Sequence, residues 1–514
     1  MSNKSKLGWL LLSSASLAAM GAMSPAFAQD EEISDEIVVT ATGRSAAIQD
    51  VPLAVTAIGG EALENSGVQD LRDITQVAPS LQMGTGQSNS SGTIARIRGI
   101  GTGSDNPGFE AAVGIFIDGV YRARAGAALA DLPELERVEV LRGPQGTLFG
   151  RNTSAGAISV ISAGPDFAPG MYLEGLYGVD DLEEGGLRAG VNVAMSDSFA
   201  FRLDGSVRAR DGYIIDATSG DDLNTRNRSS VRGQALWDIS PDASLRVIVD
   251  ASESDEVCCG VTKLLFGTTD AVISNLTGGL GAGPGGGVLP INLSTPRMTV
   301  TPGRGYGEQT DETGISAELD WDLGGVNLTS ITSYRDWSAE RDQDVDFTSA
   351  DVAYRDGLEV AFKNFTQEIR LQGEAGNINW LVGLFYGDEQ MDSTDRIRVG
   401  AQQALYSYSA VRGANPNGPE LFNFNPGAAS FSIFQGFANN PAGPIQPFLS
   451  GAQLLALNSA IIPINPQNAG NGGYLLPTSS GQGQQSDAWH VDTQSLSIFT
   501  HNEISLGENL VLTL

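Results

Sequence analysis

Few residues in this chain of 514 could do covalent chemistry. The histidines are His490 and His501, no nucleophile motif stands near either, and 61 acidic residues are too many to single out an acid–base pair. The sequence therefore predicts no enzyme, no catalytic residue and no cofactor. Cys258 and Cys259 are adjacent, a spacing that suits neither a metal site nor a disulfide framework. Successive Cα atoms about 3.8 Å apart would strain a direct bond, so a plain loop pair is expected, with a ligand-sensing loop feature as the alternative. The stretch from Gly143 to Gly150 has the glycines of a phosphate loop without its lysine. What remains is recognition chemistry. The run Ile37-Val38-Val39-Thr40-Ala41, inside "DEIVVTATGR" (Asp35 to Arg44), favours an extended strand, and nothing around it looks able to pair with it or bury it.

The elements that must carry these residues fall into four parts. Lys4 and Lys6, the apolar run "LGWLLLSSASLAAMGAM" and Ala26-Phe27-Ala28 read as a signal peptide over residues 1–28, with Gln29 opening the mature chain. Residues 29–50 carry the strand and a polar tether, Ser45 to Asp50. Residues 51–165 read as a compact α+β domain. There "GGEALENSGVQDLRDITQVAPSLQ" predicts two short helices, and "TIARIRGIG", "VGIFIDGVY" and "RVEVLRG" predict strands. Gly143, Pro144 and Gly146 form a turn suited to positive φ, and Gly150 and Gly156 allow close backbone approach.

From 166 to 514 the texture changes to segments of about ten residues in strict alternation, the signature of a transmembrane antiparallel β-barrel. In "FAFRLDGSVRAR", Phe199, Phe201, Leu203, Val207 and Ala209 share one face, and Arg202, Asp204, Ser206, Arg208 and Arg210 the other. Two connections, near 253–312 and 389–490, are long and rich in Gly, Pro, Asn and Gln. The second carries Tyr406, Tyr408, Phe422 and Phe424, candidates for contact with a ligand at the barrel mouth, self-packing of the loop being the alternative. Lys and Arg number 30, and the net charge of −31 argues against nucleic acid as a partner.

"DLPELERVEVLRGPQGTLFGRNTSAGAISVIS", Asp131 to Ser162, resembles the end of the plug domain of TonB-dependent outer-membrane receptors, as do "RIRGIG" and "VGIFIDGVY". "DEIVVTATGR" resembles the region of that family's TonB box. The resemblance implies a mainly β fold, an N-terminal α+β plug filling a barrel of about 22 strands. It implies that Glu36, Ile37, Val38, Val39, Thr40 and Ala41 pair with the sheet edge of TonB, driven by ExbB and ExbD. It also implies that plug arginines lock against barrel carboxylates: Arg98 and Arg142 from the plug, Glu368 on the polar face of "TQEIRLQ", and Glu503 as a second candidate.

The function so implied is energised import of a scarce solute across the outer membrane, a ferric siderophore being the leading small-molecule ligand. Cobalamin, an oligosaccharide or another nutrient, and a non-energised channel or structural barrel, are the alternatives. Roughly ten or eleven strand segments follow Met171, about half a plugged barrel, and "ENLVLTL" stops inside a strand signal without a terminal aromatic residue, so a C-terminal truncation is expected.

Overall fold

The computed structural model describes residues 38–514 apart from 41, 45, 91, 104–105, 129–131, 180–182, 268, 278–287, 404–405, 407–484 and 508–509. The expected leader, residues 1–28, together with Glu36, Ile37, Ala41, Tyr408, Phe422 and Phe424, lies outside the described residues.

The N-terminal domain starts with a two-residue ladder, β1 (Val38–Val39) against β2 (Ala46–Ala47). β3 (Val55–Gly59) leads into α1 (Gly60–Asn65), and the second expected helix is only a 3₁₀ turn over Asp73–Gln76, since Pro79 follows too soon for a full α-helix. β4 (Leu81–Thr85), β5 (Thr93–Ile97) and β6 (Ile100–Gly101) form a small meander. β7 (Val113–Ile117) and β8 (Val120–Arg122) make a hairpin whose turn places Asp118 and Gly119 at φ 49° and 73°.

β9 (Leu135–Arg142), the one-turn α2 (Gly146–Phe149) and β10 (Gly156–Ser162) follow. The main sheet has the order β3-β9-β10-β7-β8, with β10 parallel to β7 and the other neighbours antiparallel. Leu71, Ile74, Val138, Val140, Ile158 and Val160, all inaccessible to solvent, form its core. Of the expected turn, Gly143 has φ 92° and Gly150 φ 74°, whereas Gly146 opens α2. Close approach belongs to Gly156, where a Cβ would stand 2.3 Å from Leu141 O.

The remaining strands form a curved antiparallel wall. Its members are β11 (Gly170–Tyr177), β12 (Gly185–Ser196), β13 (Phe199–Arg210), β16 (Arg226–Ser240), β17 (Ala243–Val257), β19 (Gly307–Asp322), β20 (Val326–Asp344), β21 (Ala353–Ala375), β22 (Ile378–Val399), β23 (Gln485–Thr500), β24 (Glu503–Gly507) and β25 (Leu510–Thr513), a 12-stranded sheet. β11 and β25 stand at its two ends, and no pairing joins them among the described residues. The connections on the long-loop side hold a second small sheet, β15-β14-β18, made of β14 (Ile214–Asp216), β15 (Asp222–Leu223) and β18 (Arg297–Met298), and the helix α3 (Asp270–Leu276).

The alternation in β13 is the inverse of a water-soluble sheet. Arg202 and Asp204 are buried against the N-terminal domain, while Leu203 and Val207 are exposed on the outside. Val191, Val231, Val249, Ile315 and Leu384 repeat this apolar exterior, the pattern of strands whose outer face is built to meet lipid. Several strands run longer than the expected ten residues. β17 and β19 have 15 and 16, and β20, β21 and β22 have 19, 23 and 22, so the connections shorten to residues 258–306 and 400–484. At about 3.3 Å per residue these strands rise well above an apolar band roughly 25 Å tall. Cys258 and Cys259, expected as a plain pair, are joined in a disulfide.

Candidate functional site

The expected N-terminal recognition strand is not an open one. Val38 and Val39 pair with Ala47 and Ala46, so the residues read as a tether supply the missing partner. Val39 is fully buried in an apolar cluster with Leu141 and Ala157, and Val38 remains 45% exposed. Beyond them the Thr40 N–H donates to Glu139 Oε1 at 2.9 Å and its hydroxyl to the same oxygen at 3.2 Å. Glu139 is buried, and Arg137 Nε donates to its Oε1 at 2.8 Å. On the other side, Arg44 reaches the wall, pairing with Glu503 at 3.3 Å and donating to His501 O. The strand is thus held between plug-side Glu139 and wall-side Glu503.

The other expected lock residues lie elsewhere. Arg98 is exposed and makes no ion pair among the described residues; its backbone N–H donates to Ser80 O. Arg142 donates to Ala54 O and Val55 O, both at 3.2 Å, because β3 lies beside β9 in a register that pairs Val55 with Leu141. Glu368 does face inward, but it pairs with Arg370 two residues along its own strand at 3.2 Å. The expected pairing of Arg98 and Arg142 with Glu368 is therefore corrected: Glu503 alone of these four reaches across, and its partner is Arg44.

The interlock between domain and wall is built from residues not singled out in the sequence. Arg122, at the end of β8, meets Glu312 of β19 at 2.8 Å, and Glu312 also takes Arg335 at 2.8 Å. Asp118, in the hairpin turn, accepts from Arg232 and Arg246 of the wall and from Ser162. Asp70 is fully buried, with Arg72 at 2.6 Å, Arg228 at 3.1 Å and Arg226 at 3.7 Å. Burial alone would raise its pKa, but Arg72, Arg228 and Arg226 outweigh that and hold the carboxyl well below the usual carboxylate range. Glu308 of β19 reaches into the loop Ser88-Asn89-Ser90 and accepts from two of its backbone N–H groups.

Higher up, Arg124 and Arg151 share Glu389 at 3.3 and 2.8 Å. Arg124 also lies 4.7 Å from the centre of the Phe362 ring. A signal for these partners existed in the sequence: the wall charges sit at alternate positions on the inward faces of their strands, as Arg226, Arg228 and Arg232 do. Which charge each meets depends on how the two units dock. Of the aromatic candidates, Tyr406 is described and packs beside Ile273, Val288, Ala350 and Val352.

Residues 47–157 match the family model described as TonB-dependent Receptor Plug Domain. The chain is 29% identical over 238 residues to the pesticin receptor of Yersinia pestis, which covers 44% of this chain and 33% of that protein. It is 26% identical over 254 residues to the iron-regulated outer membrane virulence protein of Vibrio cholerae, covering 45% and 36%. The chain thus matches about a third of the length of these relatives. Its fold resembles the crystal structure of the siderophore receptor PiuA from Acinetobacter baumannii, with TM-score 0.58, 13% identity, and coverage of 91% of this chain and 57% of that one.

Proposed function

From the chain's membership of the TonB-dependent outer-membrane receptors, which are not enzymes, we propose that it serves TonB-dependent import of a scarce solute, a ferric siderophore first among the candidates. The names of the relatives, an iron-regulated outer membrane protein and a siderophore receptor, support iron as the cargo. Cobalamin or an oligosaccharide remains the alternative cargo.

The observation that carries the reading is the seat of Val38 and Val39 on a domain clamped to the wall by buried charges. A nanomolar ligand is held by about 12 kcal/mol, and breaking a single buried ion pair costs about 3–5 kcal/mol. Thermal motion therefore does not clear the lumen while the ligand stays bound; an external pull is required. TonB, energised by ExbB and ExbD, would supply it through residues 36–41 as an added strand. The strand must first leave Ala46 and Ala47. That step gives up the burial of one valine side chain, about 1.5–3 kcal/mol, and a few hydrogen bonds of about 1 kcal/mol each. The seat is weak where the interlock is strong, so a pull frees the strand before it strains the plug.

Solute uptake by wild type and Val38→Pro in cells with and without TonB tests this. The variant is expected to bind ferric siderophore at the cell surface as wild type does and to import none; unimpaired import by the variant, or wild-type import without TonB, would remove the reading.

A further inference from the structure

On the long-loop side of the wall, a cavity of about 520 Å³ opens between the 258–306 connection, the turn from β20 to β21, and the segment after β22. None of its lining residues belongs to the N-terminal domain. Its volume lies in the range of small-molecule sites, roughly 300–1,000 Å³. Ile273, Val288, Met298, Phe347, Val352 and Tyr406 give it an apolar interior. These walls are anchored: Met298 packs with Ile214, Leu223, Val300 and Tyr306, and Ile273, Val288 and Val352 pack with Ala350.

The charges around the cavity are not equivalent. Asp346 is saturated, accepting from Thr348 through N–H and hydroxyl and from the N–H groups of Val352 and Ala353. Asp270 is occupied by Lys263 and by the Gly267 N–H. Arg297 is exposed, and its guanidinium has no partner among the described residues. An apolar chamber with one unanswered cation complements a small molecule that has an apolar body and one acidic group.

We propose that this cavity binds small amphiphilic anions, an aromatic or short acyl body lying against Ile273, Phe347 and Val352 with its carboxylate or sulfonate on Arg297. The site is separate from the plug and does not depend on the import reading. Its occupant touches the loops and leaves the Glu312, Asp118 and Asp70 clusters alone.

The test uses the full chain in lipid nanodiscs, with anilinonaphthalene sulfonate as the anionic probe, N-phenylnaphthylamine as its neutral counterpart, and empty discs as background. Saturable binding of one sulfonate probe per chain is expected. Arg297→Gln, a surface change that leaves the fold intact, should weaken the sulfonate about tenfold or more and leave the neutral probe unchanged. Val352→Trp, which fills the chamber, should abolish both. Absence of saturable binding would overturn the proposal. So would sulfonate affinity unchanged in Arg297→Gln. Val38→Pro should bind the probe like wild type, so loss of import and loss of this site are read separately.

Discussion

Glu139 and Thr40, separated by 99 positions in sequence, meet through a 2.9 Å hydrogen bond from the Thr40 N–H to a buried carboxylate. Arg137 supplies the charge that makes burial of Glu139 tolerable, at 2.8 Å. Glu139→Ala removes the acceptor for Thr40 and leaves Arg137 without its inner partner, a loss of about 3 kcal/mol. We expect the segment around Val38 to detach, so that trypsin cuts after Arg44 at least about ten times faster than in wild type. An unchanged rate would mean that Arg44 and Glu503 alone hold the strand.

Asp70 makes the plug sensitive to acid in a defined window. Its folded pKa is depressed, so the stability it contributes is fully present above the unfolded value of about 3.9 and is lost as pH falls through the lower folded value. Asp70→Asn should cost about 3–5 kcal/mol at neutral pH, because Arg72 and Arg228 then lie buried against a neutral group. Trp337, buried in the cluster that joins plug and wall, reports release of the plug by a red shift of its emission. The variant should lose the part of the wild-type transition that lies below about pH 4.

Two glycines of the plug should respond differently to alanine. At Gly156 the new Cβ would stand 2.3 Å from Leu141 O and 2.6 Å from Ile97 Cδ1, inside a sheet with no room to shift, and the cost should reach about 3 kcal/mol or more. At Gly143 φ is 92° but the space is open, so the penalty is conformational alone, about 1–2 kcal/mol. Urea denaturation of the two variants ranks them; equal midpoints would contradict the packing argument.

Asp344, at the top of β20, titrates in the opposite sense to Asp70. Burial, then the neighbouring Asp346 carboxylate, pushes its pKa up to about 8, against the hydrogen bond it accepts from the Thr301 N–H at 2.7 Å. The stability tied to its protonated form is present below about pH 3.9 and disappears as pH rises through about 8. Hydrogen exchange at Thr301, corrected for the intrinsic pH dependence, should therefore lose protection progressively between about pH 4 and pH 8. Asp344→Asn should remove that loss, with protection at pH 9 at least about tenfold above wild type; parallel curves would rule it out.

The sequence by itself determined the order of parts: a leader pattern, a β-branched run, a glycine-punctuated α+β domain and a series of alternating strands. These are local patterns, readable because strand periodicity and turn residues act over a few positions. Even the inversion of β13, with charges inward and Leu203 and Val207 outward, follows once a bilayer is taken as the solvent. The contacts were not legible. Arg142 stands before a glycine as the motif suggested, but the register of β3 on β9 turns it to the carbonyls of Ala54 and Val55. Arg122 and Glu312 lie 190 positions apart, and nothing local distinguishes them from the other charges on their strands. The partners of Val38 and Val39, Ala47 and Ala46, were only nine and seven positions away and were still hidden, because what fixes the ladder is the burial of Val39 beside Leu141 and Ala157. Charge pairing across a docked interface is decided by shape and register over the whole molecule, and those exist only in the folded chain.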